Sequence, residues 1–485
     1  MPKTIFNTTE KSNFILNMKT EEYRNFLMKI LIGYLILMPI FCIPLEFFKI
    51  YSVPAMAFAV IGVFAMVFAF IGFMKQITPK SLILPAGLLG GLVAWSVVSL
   101  INSYNYSISL TGSDGRNEGV FSVVFYGCLF LLGAQLVTEQ NHKKLLDAML
   151  WYGLAQCAWA LLQVLPIGFP SYYAALEPML LFRVFLPSGL TGSPIFLATL
   201  LVTLSVPAII GAVKEEDKKS RIFYLICAAM FVLMAVKTQT LIGFAGSILS
   251  LAGTGIYLIA KRSGKKAFGS YAAVMLAFVI GMGWAFASPA INGTFSRASG
   301  SEVAQSAGFR LYDGGVMWDD SSYRLAVSGY YVANGSDNPN GHFDINSLTE
   351  SYGYLWKATL GVIGRFPLVG SGPDNLVYPQ MYQHHQVVSN PNVFDRCYNY
   401  YLHLAGTMGI PALLLYLALM GIVVFRGAKF CKTGNWLHAG IYGAVLMYLL
   451  AMGIGTSSVT VAPIFWVLAG IVVTDGMALK ENVKK

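Results

Sequence analysis

Apolar stretches of about 20 residues recur from one end of this 485-residue chain to the other, and they constrain its fold more than any other feature. A helix of that length crosses a hydrocarbon layer of about 30 Å. Only 12% of the residues are charged, about half the share of an ordinary soluble domain. Bilayer, not water, is the solvent this chain is built for. The runs fall at roughly 28–48, 52–74, 82–101, 120–137, 145–165, 195–213, 222–236, 239–260, 267–288, 401–425, 437–455 and 461–478. They predict an all-α integral membrane protein of about 12 transmembrane helices.

The polar remainder predicts the organisation. Residues 289–352 are rich in Gly, Ser, Asp and Asn and too poor in core formers to fold alone. We therefore expect an N-terminal helix bundle over 1–288, a large extracytoplasmic loop carrying short interfacial helices over 289–400, and C-terminal transmembrane helices over 401–485. Met1 to Arg24 lacks the small-residue cleavage site of a signal peptide, so the first span is expected to be retained. Of the six cysteines, Cys42, Cys128, Cys157 and Cys227 fall in apolar runs, and no CxxC suggests a metal site.

Lysines sort the loops. Lys75 and Lys80, Lys143 and Lys144, Lys214 with Lys218 and Lys219, the KRSGKK run at 261–266, and Lys429 with Lys432 occupy alternate loops. Positive loops stay on the cytoplasmic side, which puts both termini inside and 289–400 outside. The net charge of +10 is then mostly topology and calls for no nucleic-acid partner. The other side carries arginines instead: Arg116, Arg183, Arg297, Arg310, Arg324, Arg365 and Arg396. A guanidinium presents a fixed fork of donors that matches phosphate oxygens; the plainer use of such residues is to anchor helix ends at lipid headgroups.

Chemistry is concentrated in 365–416, RFPLVGSGPDNLVYPQMYQHHQVVSNPNVFDRCYNYYLHLAGTMGIPALLLY. The segment 355–366 before it places Leu355, Thr359, Val362, Ile363 and Phe366 at helical spacing, as an interfacial amphipathic helix does. Gly370 and Gly372 form a G-x-G turn that either brings backbone N–H groups to an anion or simply turns the chain. Earlier, GSDGRNEGVF at 112–121 sets Arg116 and Glu118 at the start of a span, where Glu118 would complement the helix N-terminus. His384 and His385 are adjacent, so their side chains diverge; with no H-E-x-x-H nearby they predict no metal site.

These pieces resemble the signature of the O-antigen ligase and polysaccharide polymerase superfamily. There a G-x-G-P turn precedes an Asp-Arg-x-His-Asn-x-Tyr-Leu run that opens a transmembrane helix; here the run reads Asp395-Arg396-Cys397-Tyr398-Asn399-Tyr400-Tyr401-Leu402. Tyr398 stands at the family's histidine. A family arginine is also absent where Leu241 follows Lys237-Thr238-Gln239-Thr240, and Lys237 or Arg324 is the available substitute. The resemblance implies an inverting glycosyltransferase needing neither metal nor cofactor, in a bacterial plasma membrane. It would move a glycan from an undecaprenyl-pyrophosphate carrier to a growing polysaccharide or other acceptor, as polymerase or ligase.

On that reading Arg116, Arg365, Arg396 and Arg324, with Gly370 and Gly372, hold pyrophosphate and glycan. Tyr398, Asn399, Asp395, His384 and His385 are the catalytic candidates. His403 is expected too far round the helix to share Tyr398's face. Two other readings stand beside it: a small-anion transporter, which the scarcity of ionisable residues within the spans opposes, and a non-catalytic relative that binds lipid-linked glycan.

Overall fold

The computed structural model describes residues 18–41, 52–75, 77, 80–113, 116–136, 138–164, 187–261, 264–287, 310–312, 315–317, 345–376, 397–431 and 435–482. Its helices are α1 (Thr20–Phe41), α2 (Ser52–Met74), α3 (Ile83–Val98), the short α4 (Tyr106–Thr111), α5 (Val120–Gln135), α6 (Glu139–Val164), α7 (Pro194–Lys214), α8 (Lys218–Lys237), α9 (Ser247–Ala260), α10 (Lys265–Ala287), α11 (Ile345–Arg365), α12 (Tyr400–Phe430), α13 (Trp436–Ala451) and α14 (Ala462–Asn482). A π-helical turn, Ile242–Gly246, leads into α9. Two three-residue strands, β1 (Arg310–Tyr312) and β2 (Gly315–Met317), pair antiparallel with Arg310 opposite Met317.

A helix lies at each of the expected spans, and eight of them are long and apolar enough to cross a membrane. Three more, Val120–Gln135, Trp436–Ala451 and Ala462–Thr474, are apolar but shorter. The first helix begins at Thr20, ahead of the apolar run. Glu21 and Glu22 occupy its first turn, where carboxylates complement the helix dipole, and Tyr23 donates from its hydroxyl to the Phe68 carbonyl 2.6 Å away.

The core surrounds α7, which is buried along its whole span and packed by α6, α8, α9, α10 and α13. Pro194 opens it, where a missing N–H costs nothing. α5 and α14 cross with their backbones in close approach: Gly133 lies on the Val467 carbonyl and Gly470 on the Phe130 carbonyl. Small residues permit such crossings where no water drives helices together. The outer faces remain apolar, with Phe73 71% and Ile256 69% exposed. In water that would be an interaction patch; here it is the lipid-facing surface.

α11 is amphipathic as its spacing predicts. Leu355, Thr359 and Val362 are buried, and the helix rests on α12, where Gly406 meets the Thr359 methyl group and Leu376. The chain then turns at Pro367 and runs across α12 as the segment 366–376. α12 breaks to receive it: Gly409 has φ 86°, and the Ile410 N–H donates to the Pro367 carbonyl at 2.8 Å.

Candidate functional site

Four loops meet at the end of the bundle that the lysine pattern assigns to the outside: one holding 112–113 and 116–119, then 366–376, 397–399 leading into α12, and 452–461 before α14. Each brings polar side chains into a region walled by apolar helices. Arg116 is at the junction and fully buried. It pairs with Asp374, whose side chain is also completely enclosed. Arg116 Nη1 lies 3.3 Å from His403 Nδ1 and 3.1 Å from His403 Nε2, and donates to Thr456 Oγ1 at 3.5 Å. Its Nε and Nη2 both donate to Ser113 Oγ, at 3.4 and 3.2 Å. The Arg116 carbonyl accepts from the Val459 N–H at 3.0 Å.

Asp374 is held from every side. The Ser113 N–H and hydroxyl donate to Oδ2 at 2.6 and 2.9 Å, and His403 Nε2 lies 3.3 Å from Oδ1. Burial alone would raise its carboxyl, but Arg116, His403 and Ser113 together outweigh burial and hold it down at about 2.

Glu118 sits two residues from Arg116 and does not cap α5, which starts from Gly119 without a side-chain cap. Its side chain turns inward instead. Oε1 accepts from Tyr126 at 2.7 Å and from Ser457 at 2.6 Å, and Ser457 in turn lies 3.0 Å from the Tyr448 hydroxyl. Burial pushes this carboxyl up to about 7, and the donors from Ser457 and Tyr126 pull it only part of the way back.

Asn399 is the N-cap of α12, its side chain accepting from the Leu402 N–H at 3.1 Å. Tyr398 lies just outside the helix in a left-handed conformation, φ 49°, and is buried. The helical-face comparison made from sequence therefore does not apply, because Tyr398 is off the helix while His403 is one turn into it. It is His403 that reaches Arg116 and Asp374. Gly370 (φ 66°) and Gly372 (φ 99°) take left-handed turns. Their segment uses its N–H groups internally: Gly370 donates to Phe366 and Ser371 to Gly406, each at 3.0 Å. The glycines let backbone lie on backbone.

Arg365 is exposed at the end of α11, its guanidinium 5.4 Å from the Phe366 ring. Lys237 is buried, with Nζ 4.9 Å over the Trp284 ring. Arg324, His384, His385, Asp395 and Arg396 lie outside the described residues. Among the described residues no group of three His, Cys, Asp or Glu is placed to hold a metal ion.

Sequence reasoning missed Asp374, Ser457 and Thr456. Asp374 had a signal, being with Asp395 one of two acidic residues between 365 and 402. The run GTSSVT at 455–460 is likewise a polar island between two apolar helices. No curated protein matches the chain. Residues 223–417 match the family described as O-antigen ligase. That match takes in Asp374, Tyr398 and His403 but stops outside Arg116, Glu118 and the 452–461 loop, which only folding adds to them. That match, together with the bundle of apolar helices that holds these side chains, supports membership of the O-antigen ligase superfamily.

Proposed function

We propose that this protein is a metal-independent, inverting glycosyltransferase that takes a glycan from an undecaprenyl-pyrophosphate carrier and transfers it to a saccharide acceptor. It acts on the outer face of a bacterial plasma membrane, with both termini cytoplasmic. The match to the O-antigen ligase family suggests a membrane glycan-transferring enzyme. The observation that carries the finer reading is the Arg116–Asp374–His403 network, assembled from three separate stretches at one end of an apolar bundle. Buried ionisable groups are costly unless paired, and a cluster of them with shifted proton affinities is a functional-site candidate.

In the reaction the acceptor hydroxyl attacks the anomeric carbon, and the bond from that carbon to the pyrophosphate oxygen breaks with its electron pair leaving on the phosphate. Stabilising that departing charge is the main electrostatic task. Arg116 has its donors committed inside the protein, so it holds the loops in register. Arg365, exposed at the end of α11, takes the pyrophosphate together with Arg396 and Arg324. The bidentate fork of arginine suits that ligand.

The test is an analysis of lipid-linked glycans in cells lacking the protein. Accumulated carrier bearing single repeat units supports a polymerase, and carrier bearing long chains supports a ligase. An unchanged pool of lipid-linked glycan overturns the proposal.

A further inference from the structure

Transfer releases a proton from the acceptor hydroxyl, and most nearby groups are unable to take it. Both His403 ring nitrogens are engaged, with Arg116 within 3.3 Å of each and Asp374 on Nε2. Asp374 has Arg116 on one oxygen and Ser113 on the other, and a carboxyl held at about 2 is a weak base. Tyr398, where the family has histidine, offers a phenol, whose unperturbed pKa near 10 makes it a poor base at neutral pH.

Glu118 differs in geometry. Its Oε1 is fixed by Tyr126 and Ser457, while no donor among the described residues is directed at Oε2. The residue keeps 9% of its surface open, where Arg116 keeps none. It shares a short loop with Arg116 and lies close enough to feel the charges of both Arg116 and Asp374. We propose that Glu118 accepts the proton of the incoming hydroxyl. This rests on the glycan-transfer reading above and adds a base to it. The hydroxyl oxygen bonds to the anomeric carbon, the pyrophosphate departs with the electron pair of the broken bond, and the proton passes to Glu118 Oε2 and then to water.

The surroundings suit that task. Arg116 on the same loop favours the carboxylate, and Asp374 opposes it. Tyr126 on α5, Tyr400 and Tyr416 on α12, and Tyr448 on α13 also feel its charge. Burial sets the group at about 7, the range in which a general base combines availability with strength.

The experiment uses the full-length protein in liposomes, with undecaprenyl-pyrophosphate glycans extracted from cells lacking the protein as donor. Glu118→Gln should lower the transfer rate about 10²–10⁴-fold while donor binding stays within about twofold. The wild-type rate should fall as pH drops through about 7, and that limb should vanish in the Gln variant. Ser457→Ala covers the case in which Glu118→Gln fails to insert. Removing one donor to the carboxylate should move the acid limb to higher pH, which a merely structural role would not do. A folded Glu118→Gln protein with wild-type rate, or an unmoved limb in Ser457→Ala, overturns this inference alone. A wild-type protein that transfers nothing overturns it together with the reading it rests on.

Discussion

Arg116 and Asp374 form an ion pair whose two side chains are fully enclosed, so each is needed to make the other tolerable. Asp374→Asn leaves a buried guanidinium without its carboxylate, and breaking such a pair costs about 3–5 kcal/mol. Thermal unfolding in detergent should show that loss. Arg116→Lys should lose stability and transfer together, since one ammonium does not span Ser113, Asp374, His403 and Thr456. Arg365→Lys, on an exposed side chain, should lower transfer with unfolding unchanged. The two buried carboxyls respond oppositely to pH. Asp374 is lowered from 3.8 to about 2, so its stabilisation is complete above 3.8 and is lost as pH falls through 2. Glu118 is raised from 4.5 to about 7, so its burial costs stability increasingly as pH rises from 4.5 through 7. Glu118→Gln should therefore gain stability relative to wild type at pH 8 and not at pH 4. Tyr398→Phe removes a single hydroxyl, worth about 0.5–1.5 kcal/mol, or roughly a two- to tenfold change in rate.

Among the elements, α12 and the segment that crosses it decide whether the site exists. Gly409 combines a left-handed backbone with the Leu368 carbonyl where a side chain would stand. Gly409→Ala meets both, and strain of this kind costs about 1–3 kcal/mol. The expected result is a lower unfolding temperature and lost transfer, because 366–376 carries Asp374. A variant with unchanged unfolding and rate would show that the crossing segment does not depend on this break. The α11 face was legible in sequence because period-3.6 spacing records which side is buried. The role of Glu118 was not. A carboxylate before a helix reads as complementing its N-terminus, and only the arrival of Tyr126 and Ser457 at its side chain shows another use.

For the whole molecule, the lysine pattern is the basis on which we propose which end faces outward, and thiol labelling tests it. Cys397 is a poor probe, since it is buried and burial pushes its thiol up to about 11. A cysteine replacing Asn338 should react with a membrane-impermeant reagent in intact cells. Cysteines replacing Glu216 or Ser263 should react only after the membrane is opened; the reverse pattern would put the Arg116 network on the cytoplasmic side. By itself the sequence determined the all-helical membrane class, the helix positions and the expected sidedness. Hydrophobic run length and lysine placement are properties of local sequence; bilayer thickness reads the first and the charge bias of the loops expresses the second. The segments near Arg116, Tyr398 and Gly370 were equally visible as polar islands in an apolar chain. Only the tertiary structure decided that Arg116 meets Asp374, 258 positions away, that His403 reaches both, and that Ser457 meets Glu118 across 339 positions. Those contacts depend on which helix ends the packing around α7 brings side by side, and no local pattern of residues encodes that distance.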